Sequence, residues 1–310
     1  MAAEIPSQRA ATTLLGGQEE RAAFRRPQSN GARAWRRFRG NKMALAALVI
    51  TGLLILIALC APLISRYVTH YSPSKQSLLD NFDPASRAHW FGTDELGRDV
   101  LTRIVYGAQV SLGVAALAVV VAVVVGTLVG AVAGYYGGWV DAVLMRFVDL
   151  LLSIPGLILL ILIGALFRVG PVILSIVIAL LGWFGLARLV RSEILSIRRR
   201  EYVEAARVIG APDHIIIGRH ILPNVTHLVI IFATNAVPGF ILTEAALSFL
   251  GLGIQPPTPS WGNMLTNAQQ YLTKSKGLVF IPGFFIALTV LALIIVGNAL
   301  RDALDPRLSK

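Results

Sequence analysis

Ile104 to Gly134 reads IVYGAQVSLGVAALAVVVAVVVGTLVGAVAG, without one Asp, Glu, Lys or Arg. An α-helix needs about 20 apolar residues to cross the hydrocarbon core of a bilayer, and this run exceeds that. In lipid only helices and closed barrels satisfy their own backbone groups. Barrel strands are about 9–11 residues long and alternate polar with apolar positions. The run is too long and too uniformly apolar for that, so it predicts a spanning helix and an all-α integral membrane fold. Other greasy runs lie at Met43–Ile64, Val143–Phe167, Pro171–Ala187, Val225–Thr243 and Gly277–Leu300. The expected architecture is a six-helix transmembrane bundle.

Composition agrees. The 310 residues are 55% hydrophobic and 15% charged, with a mean hydropathy of +0.68; soluble domains carry about 25% charged residues. The net charge of +11 could suggest nucleic acid, but its distribution argues for a membrane. Basic residues crowd into the N-terminal stretch, ending in Arg33, Arg36, Arg37, Arg39 and Lys42, and into the segment after the fourth run. That segment holds Arg188, Arg191, Arg198, Arg199, Arg200, Arg207 and Arg219. Lys and Arg favour cytoplasmic flanks and anionic headgroups. The Arg168 turn and the Gly251–Lys276 loop are poor in them, and the long Ser65–Arg103 loop balances its basic residues with acids. Both termini and the loop over residues 191–224 are therefore expected in the cytoplasm, with the Ser65–Arg103 and Gln255–Lys276 loops outside.

Smaller features refine this plan. Met1 to about Phe24 lacks periodicity and reads as disordered. Ala32–Lys42 reads as a short interfacial helix, with Trp35 and Phe38 in the headgroups and arginines on phosphate, or else as a flexible basic tail. Cys60 is the only cysteine, which excludes an intrachain disulfide. Leu59 before it is too large for a lipoprotein cleavage site, and Cys60 reads as a small buried hydrophobe. Gly126, Gly130 and Gly134 repeat every four residues and clear one helix face for close packing. Pro155, Pro238 and Pro282 are expected to kink or break their spans.

Several chemistries lack their parts. The chain has no Gly-x-x-x-x-Gly-Lys-Ser/Thr phosphate loop, no His-Glu-x-x-His and no Gly-x-Ser-x-Gly. His70, His89, His214, His220 and His227 are expected on two sides of the membrane, not in a ligand cluster. No ladder of acids and histidines crosses the bilayer and no inverted repeat is evident, which counts against an ATP-independent secondary carrier.

The polar segment between the fourth and fifth runs is the most specific. Ser192–Ile209 reads as one helix ended by Gly210, where left-handed dihedrals are needed. Pro212 and Asp213 open a second short helix, stopped by Pro223 before the fifth span. Ala205-Ala206 leaves a flat surface that could lie in a partner's groove, with Glu204 and Arg207 as charged contacts at its rim. A mere amphipathic linker would use the same spacing. The order Glu204-Ala205-Ala206, Gly210, Leu222-Pro223 resembles the Glu-Ala-Ala loop by which importer-type ABC permeases dock onto their ATPases. It departs from the general pattern at His220, where that pattern has Ile.

Other segments carry a longer resemblance. They are Trp35-Arg36-Arg37-Phe38-Arg39 with Asn41-Lys42; Phe91-Gly92-Thr93-Asp94-Glu95-Leu96-Gly97-Arg98-Asp99-Val100-Leu101 with Tyr106-Gly107 and Ser111-Leu112; Leu247-Ser248-Phe249-Leu250-Gly251-Leu252-Gly253; and Pro256-Pro257-Thr258-Pro259-Ser260-Trp261-Gly262. From Trp35 to Arg307 the chain is similar to the dipeptide/oligopeptide (peptide/nickel) ABC transporter permeases. The resemblance implies a bundle of the type I ABC importer kind and a non-catalytic subunit working by alternating access. It implies as partners a second permease subunit, two cytoplasmic ABC ATPase domains holding ATP and magnesium, and an extracytoplasmic solute-binding protein. The implied cargo is a di- or oligopeptide, with nickel or another small solute as the alternative, and the implied location is a bacterial-type inner membrane. No cofactor or metal on this chain and no nucleic acid are expected. The implied docking residues are Glu204, Ala205, Ala206, Arg207, Gly210, Leu222 and Pro223.

Further candidates come from the charges. Asp94, Glu95 and Asp99 lack the Asp-x-Asp-x-Asp-Gly order of a calcium loop. Asp99 and Arg103, four apart on a helix, are expected to pair. Asp94, Arg98, Asp99, Pro257 and Trp261 are candidates for an outer gate or a binding-protein contact. The proline-rich loop either covers the outer mouth or forms a re-entrant turn anchored by Trp261. Arg146 and Asp149 can pair locally, and Glu244 is either a functional intramembrane acid or a structural hydrogen-bonding group.

Overall fold

A computed structural model describes residues 30–167 and 169–304, except the side chains of 30–34 and 268–269. The expectations for Met1–Phe24, for Arg168 and for the tail beyond Leu304 lie outside the described residues. In chain order the main helices are α1 (Asn30–Gly40), α2 (Lys42–Leu59), α3 (Val100–Tyr136), α4 (Gly138–Leu152), α5 (Gly156–Leu166), α6 (Pro171–Gly182), α7 (Phe184–Ile197), α8 (Glu201–Val208), α9 (Leu222–Phe249) and α10 (Gly277–Leu304). Among the described residues the only strand-like pairing is a single bridge between Thr93 and Asp99. The all-α expectation holds. α2, α3, α9 with its leading turns, and α10 are each long and apolar enough to span a membrane. Two bent pairs, α4–α5 and α6–α7, make six candidate spans when each pair is counted as one.

Of the two bends, the one at Pro155 was expected and the one at Trp183 was not. The run Val143–Phe167 is not one helix: α4 begins earlier, at Gly138, and α4 and α5 meet at 73°. Pro155 causes the break, since it lacks an N–H and pushes Ile154 before it away from helical dihedrals. The run Pro171–Ala187 bends by 45° at Trp183 and continues to Ile197, so Ser192 belongs to a span and not to a loop helix. Pro238 and Pro282 break nothing; each lies inside an unbroken helix.

α3 is the axis of the bundle. Its 37 residues extend about 55 Å, beyond the ~30 Å hydrocarbon core. It begins at Asp99, whose carboxylate accepts from the Thr102 N–H at 2.7 Å. Its longest seam is with α7. There Gly126, Gly130 and Gly134 lie against the α7 backbone, and a Cβ on Gly130 would stand 2.5 Å from the Ala187 carbonyl oxygen. The four-residue glycine repeat thus does clear a face, and α7 occupies it.

Packing distinguishes two ends. At one, Ala58 of α2, Val100 and Ile104 of α3, Ala245 of α9, Trp261 and Leu278 of α10 share a cluster. At the other, Ala131 and Tyr135 near the end of α3 pack with α7, α8 and the start of α9. Phe38 and Ala44 there meet Ala299 and Ala303 near the end of α10. α1, α8 and the end of α10 therefore share one end, called here the loop end. Phe38 is buried against α10 and does not dip into headgroups; Trp35 stays exposed. Cys60 is half-buried at the break after α2, not enclosed in a span.

Candidate functional site

α8 is held by its neighbours. α7 ends at Ile197, where Arg198 folds back and donates to the Gly134 and Tyr135 carbonyls at 3.2 and 3.1 Å. These are among the last carbonyls of α3, which attract a cation. Arg200 then takes extended dihedrals (φ −78°, ψ 144°) and starts α8. The helix expected over Ser192–Ile209 is therefore two helices. Val203 and Ala206, three apart, turn inward onto Ile194, Ile197, Ile216 and Ile221, while Glu204, Ala205 and Arg207 face out. Ala206 anchors the helix and is no part of the flat outer surface expected for the Ala205-Ala206 pair.

Gly210 ends α8 as expected. It sits at φ +80°, and the bonds Ala211 N–H to Ala206 O and Gly210 N–H to Arg207 O, both 3.0 Å, form a Schellman ending. Val208 and Ile209 beside it are 86% and 83% exposed. The chain then passes through Asp213–Ile215 and a π-helical Ile216–Ile221 straight into α9. Pro223 does not stop it: the residue lies in the first turn of α9, where helices tolerate proline. Leu222 before it is half-buried against the same cluster. The Tyr135 hydroxyl donates to Asp213 at 2.6 Å, and the Arg207 guanidinium lies 5.8 Å from the centre of the Tyr135 ring. The docking candidates are thus one cantilever, fixed at its root and bare at its tip.

Beside it, α4 and α7 are tied by charges. Arg191 grips Asp141 with two guanidinium nitrogens, Nη2 reaching Oδ2 at 2.5 Å. Arg188 pairs with Asp149. The expected local pair of Arg146 with Asp149 does not form, because Asp149 faces α7 and Arg146 stays on the exposed face of α4. Both partners of the Asp149–Arg188 pair are about half exposed, at 50% and 49%.

The far end uses its charges differently. Asp94 accepts from the backbone N–H groups of Leu96 and Arg98 at 2.9 and 3.0 Å, from Arg98 Nε at 2.7 Å, and lies 3.2 Å from Arg103 Nε. Arg98 also reaches Glu95 at 2.7 Å. Asp99 caps α3 and meets His89 Nδ1 at 3.0 Å, so the expected Asp99–Arg103 pair is replaced by Asp94–Arg103. The Asp99 oxygens are already engaged by the Thr102 N–H and hydroxyl and by His89. Asp94 and Asp99 are both buried and fully engaged, which leaves no open ligands for a cation.

Trp261 is also buried, at 0% exposure, with Nε1 donating to the Ile104 carbonyl at 3.0 Å. It neither covers a mouth from outside nor anchors at an interface; it is wedged against Gly107 on α3. Glu244 lies behind it. Ser111 and Ser248 donate to its two oxygens at 2.8 and 2.7 Å, and Ser260 hydrogen-bonds the same carboxylate. The two serine hydroxyls accept in turn from the Trp261 and Ile254 backbone N–H groups, at 3.3 and 3.0 Å. Glu244 thus ties the 251–262 loop to α3 and α9. Of the five far-end candidates only Pro257 is exposed. Nearby, burial and then the Glu95 carboxylate push the Tyr271 phenol above its ordinary pKa.

Residues 126–310 match the family described as the binding-protein-dependent transport system inner membrane component. Residues 29–85 match the N-terminal transmembrane domain of oligopeptide transport permease C. The chain belongs to the binding-protein-dependent transport system inner membrane component family. It is 42% identical over 280 residues to the dipeptide transport system permease protein DppC of Bacillus subtilis (strain 168), covering 89% of this chain and 86% of that one. It is 39% identical over 274 residues to the oligopeptide transport system permease protein OppC of the same organism, 88% of each chain. It is 42% identical over 275 residues to the glutathione transport system permease protein GsiD of Escherichia coli O157:H7, covering 88% and 89%. The chain is a multi-pass membrane permease of this family, in keeping with its candidate spans.

Within that family frame, sequence reasoning missed the residues that hold the sites in place. Ser111, Ser248 and Ser260 around Glu244, and Tyr135 and Arg198 under α8, stood out by no spacing rule. The signal for Ser111 was present: it lies in one of the segments that carry the resemblance, as do Ser248 and Ser260, and the fold brings all three to one carboxylate.

Proposed function

We propose that this chain is a permease subunit that admits di- or oligopeptides by alternating access, driven by separate ATPase subunits that dock on α8. The relatives named for dipeptide, oligopeptide and glutathione transport support a peptide cargo. The docking reading rests above all on one observation: α8 presents Glu204, Ala205, Arg207 and an uncovered Val208–Ile209 tip from a root fixed by Val203 and Ala206. An exposed apolar patch rimmed by polar residues marks an interaction surface. ATP and magnesium belong to the docked subunits; this chain does no covalent chemistry. A second permease subunit completes the pathway, and an extracytoplasmic binding protein delivers cargo to the far end. The loop end, with Arg198, Arg199, Arg200 and the α1 arginines, faces the cytoplasm of a bacterial inner membrane, and both termini with it.

The mechanism follows from the anchoring. A load on α8 passes through Val203 and Ala206 to α7 and α9, and the breaks at Pro155 and Trp183 are places where spans can bend. Transport needs only that the cargo bind the two states differently. The test is co-purification of the ATPases with Val208→Asp/Ile209→Asp, alongside labelled-dipeptide uptake. Association and uptake should fall at least tenfold while the permease pair stays assembled. Unchanged association would place docking elsewhere, and uptake of nickel but not of peptide would reassign the cargo.

A further inference from the structure

The bare faces of the spans are of two kinds. On α3 the outward residues Val120, Val124, Leu128 and Val132 are four apart and wholly apolar, a face suited to acyl chains. On α7 the outward residues are Gly185, Arg188, Leu189, Ser192 and Ser196, mostly small or polar. Arg188 is paired with Asp149 of α4, one turn from the exposed Ser153. Arg188 precedes the end of α7 by nine residues, about 13 Å along the axis, so it lies on the helix that continues the candidate span begun by α6 and not in the loop. Charged side chains within spans face a bundle interior or a water-filled cavity, not lipid. A half-exposed ion pair on this face therefore needs water beside it.

We propose that the α4/α7 face marked by Asp149, Arg188, Ser192 and Ser196 is the wetted wall of the cargo route at the loop end, and that it accommodates a zwitterionic main chain. The wall carries both signs: Asp149 and Arg188 pair on it, Asp141 and Arg191 pair more deeply beside it at 15% and 32% exposure, and Arg146 adds a cation on the exposed face of α4. Such a wall neither traps an ammonium nor repels a carboxylate, whereas a wall of one sign would do one or the other. The zwitterionic cargo rests on the peptide reading above; the wetted wall does not.

The experiment uses the assembled transporter in proteoliposomes. Cys60 is the only cysteine, so Cys60→Ala gives this chain a thiol-free background. Ser192→Cys, Ser196→Cys and Val124→Cys are each exposed to a charged, membrane-impermeant thiol reagent from both sides. Residual thiols on this chain are then read by a gel-shifting maleimide after denaturation. Ser192→Cys and Ser196→Cys should react at least tenfold faster than Val124→Cys. Equal inertness of all three would mean a lipid face or a dry subunit seam and would overturn the proposal. In parallel, Arg188→Gln and Asp149→Asn should each cut labelled-dipeptide uptake at least tenfold with ATPase co-purification unchanged, and the double variant should recover part of it. Full uptake by both single variants would remove the wall from the cargo's path. If the thiols react but the unmutated transporter takes up no peptide, the wall stands and the peptide reading fails.

Discussion

The two ends of this bundle use the same residue types to opposite effect. At the far end Asp94, Arg98 and Arg103 are buried and fully paired, and Glu244 collects serine hydroxyls behind Trp261. At the loop end Asp149 and Arg188 pair while half exposed, and Glu204 and Arg207 flank an uncovered apolar tip. A buried charge with every lone pair satisfied holds one geometry; breaking it leaves an uncompensated ion. An exposed pair is screened and easily exchanged. The far-end charges are therefore framework, whereas those at the loop end stay within reach of solvent.

The largest expected effect tests the framework. Asp94→Ala removes the acceptor from two backbone donors and two buried guanidinium groups. It should cost about 3–5 kcal/mol in unfolding of the detergent-solubilised chain, the range for breaking a buried pair. A loss below about 1 kcal/mol would mean that water reaches the knot and that the two ends are alike. Glu244 gives the next step down. Glu244→Leu strands the Ser111 and Ser248 donors and should cost about 1–3 kcal/mol, while Glu244→Gln keeps an acceptor and should cost less. Equal losses for Leu and Gln would show that the carboxylate does not organise the 251–262 loop. At the loop end Gly210→Ala forces a Cβ into φ +80° and should cost about 1–2 kcal/mol, read as faster proteolysis at α8 with the spans intact.

How much of this was legible in the sequence follows the same division. Lipid selects for long apolar runs, so the uncharged stretch Ile104–Gly134 announced α3 directly, and the basic residues placed α1 and α8 at one end. Gly210 was readable because a Schellman ending requires positive φ. The break at Pro155 was readable from the proline, but the bend at Trp183 was not, because hydropathy is blind to direction: nothing in the letters there distinguishes a straight helix from one turned by 45°. Pro223 misled because a proline stops a helix or starts one according to what precedes it, here a π-helical turn. Pairing failed where tertiary contacts outcompeted local spacing. Arg146 is three residues from Asp149, but Arg188 reaches it across a helix seam, and Asp99 was already committed to capping α3. Local spacing predicts a contact only when no other element offers a better one.

The smallest expected effect is the most discriminating. In the single chain the Asp149–Arg188 pair is half in water, so removing either partner should change stability by less than about 1 kcal/mol, and the coupling in a double-mutant cycle should fall in the range of about 0–1 kcal/mol. The same cycle is informative in the assembled transporter. A water-filled route keeps the pair screened, and its coupling should remain as small as in the lone chain. A second permease sealing the face would desolvate both groups, and the coupling should rise towards that of Asp94 with Arg98, whose side chains are only 6% and 5% exposed. The size of one coupling energy, compared before and after assembly, thus decides whether this face is wet in the working complex or becomes framework like the far end.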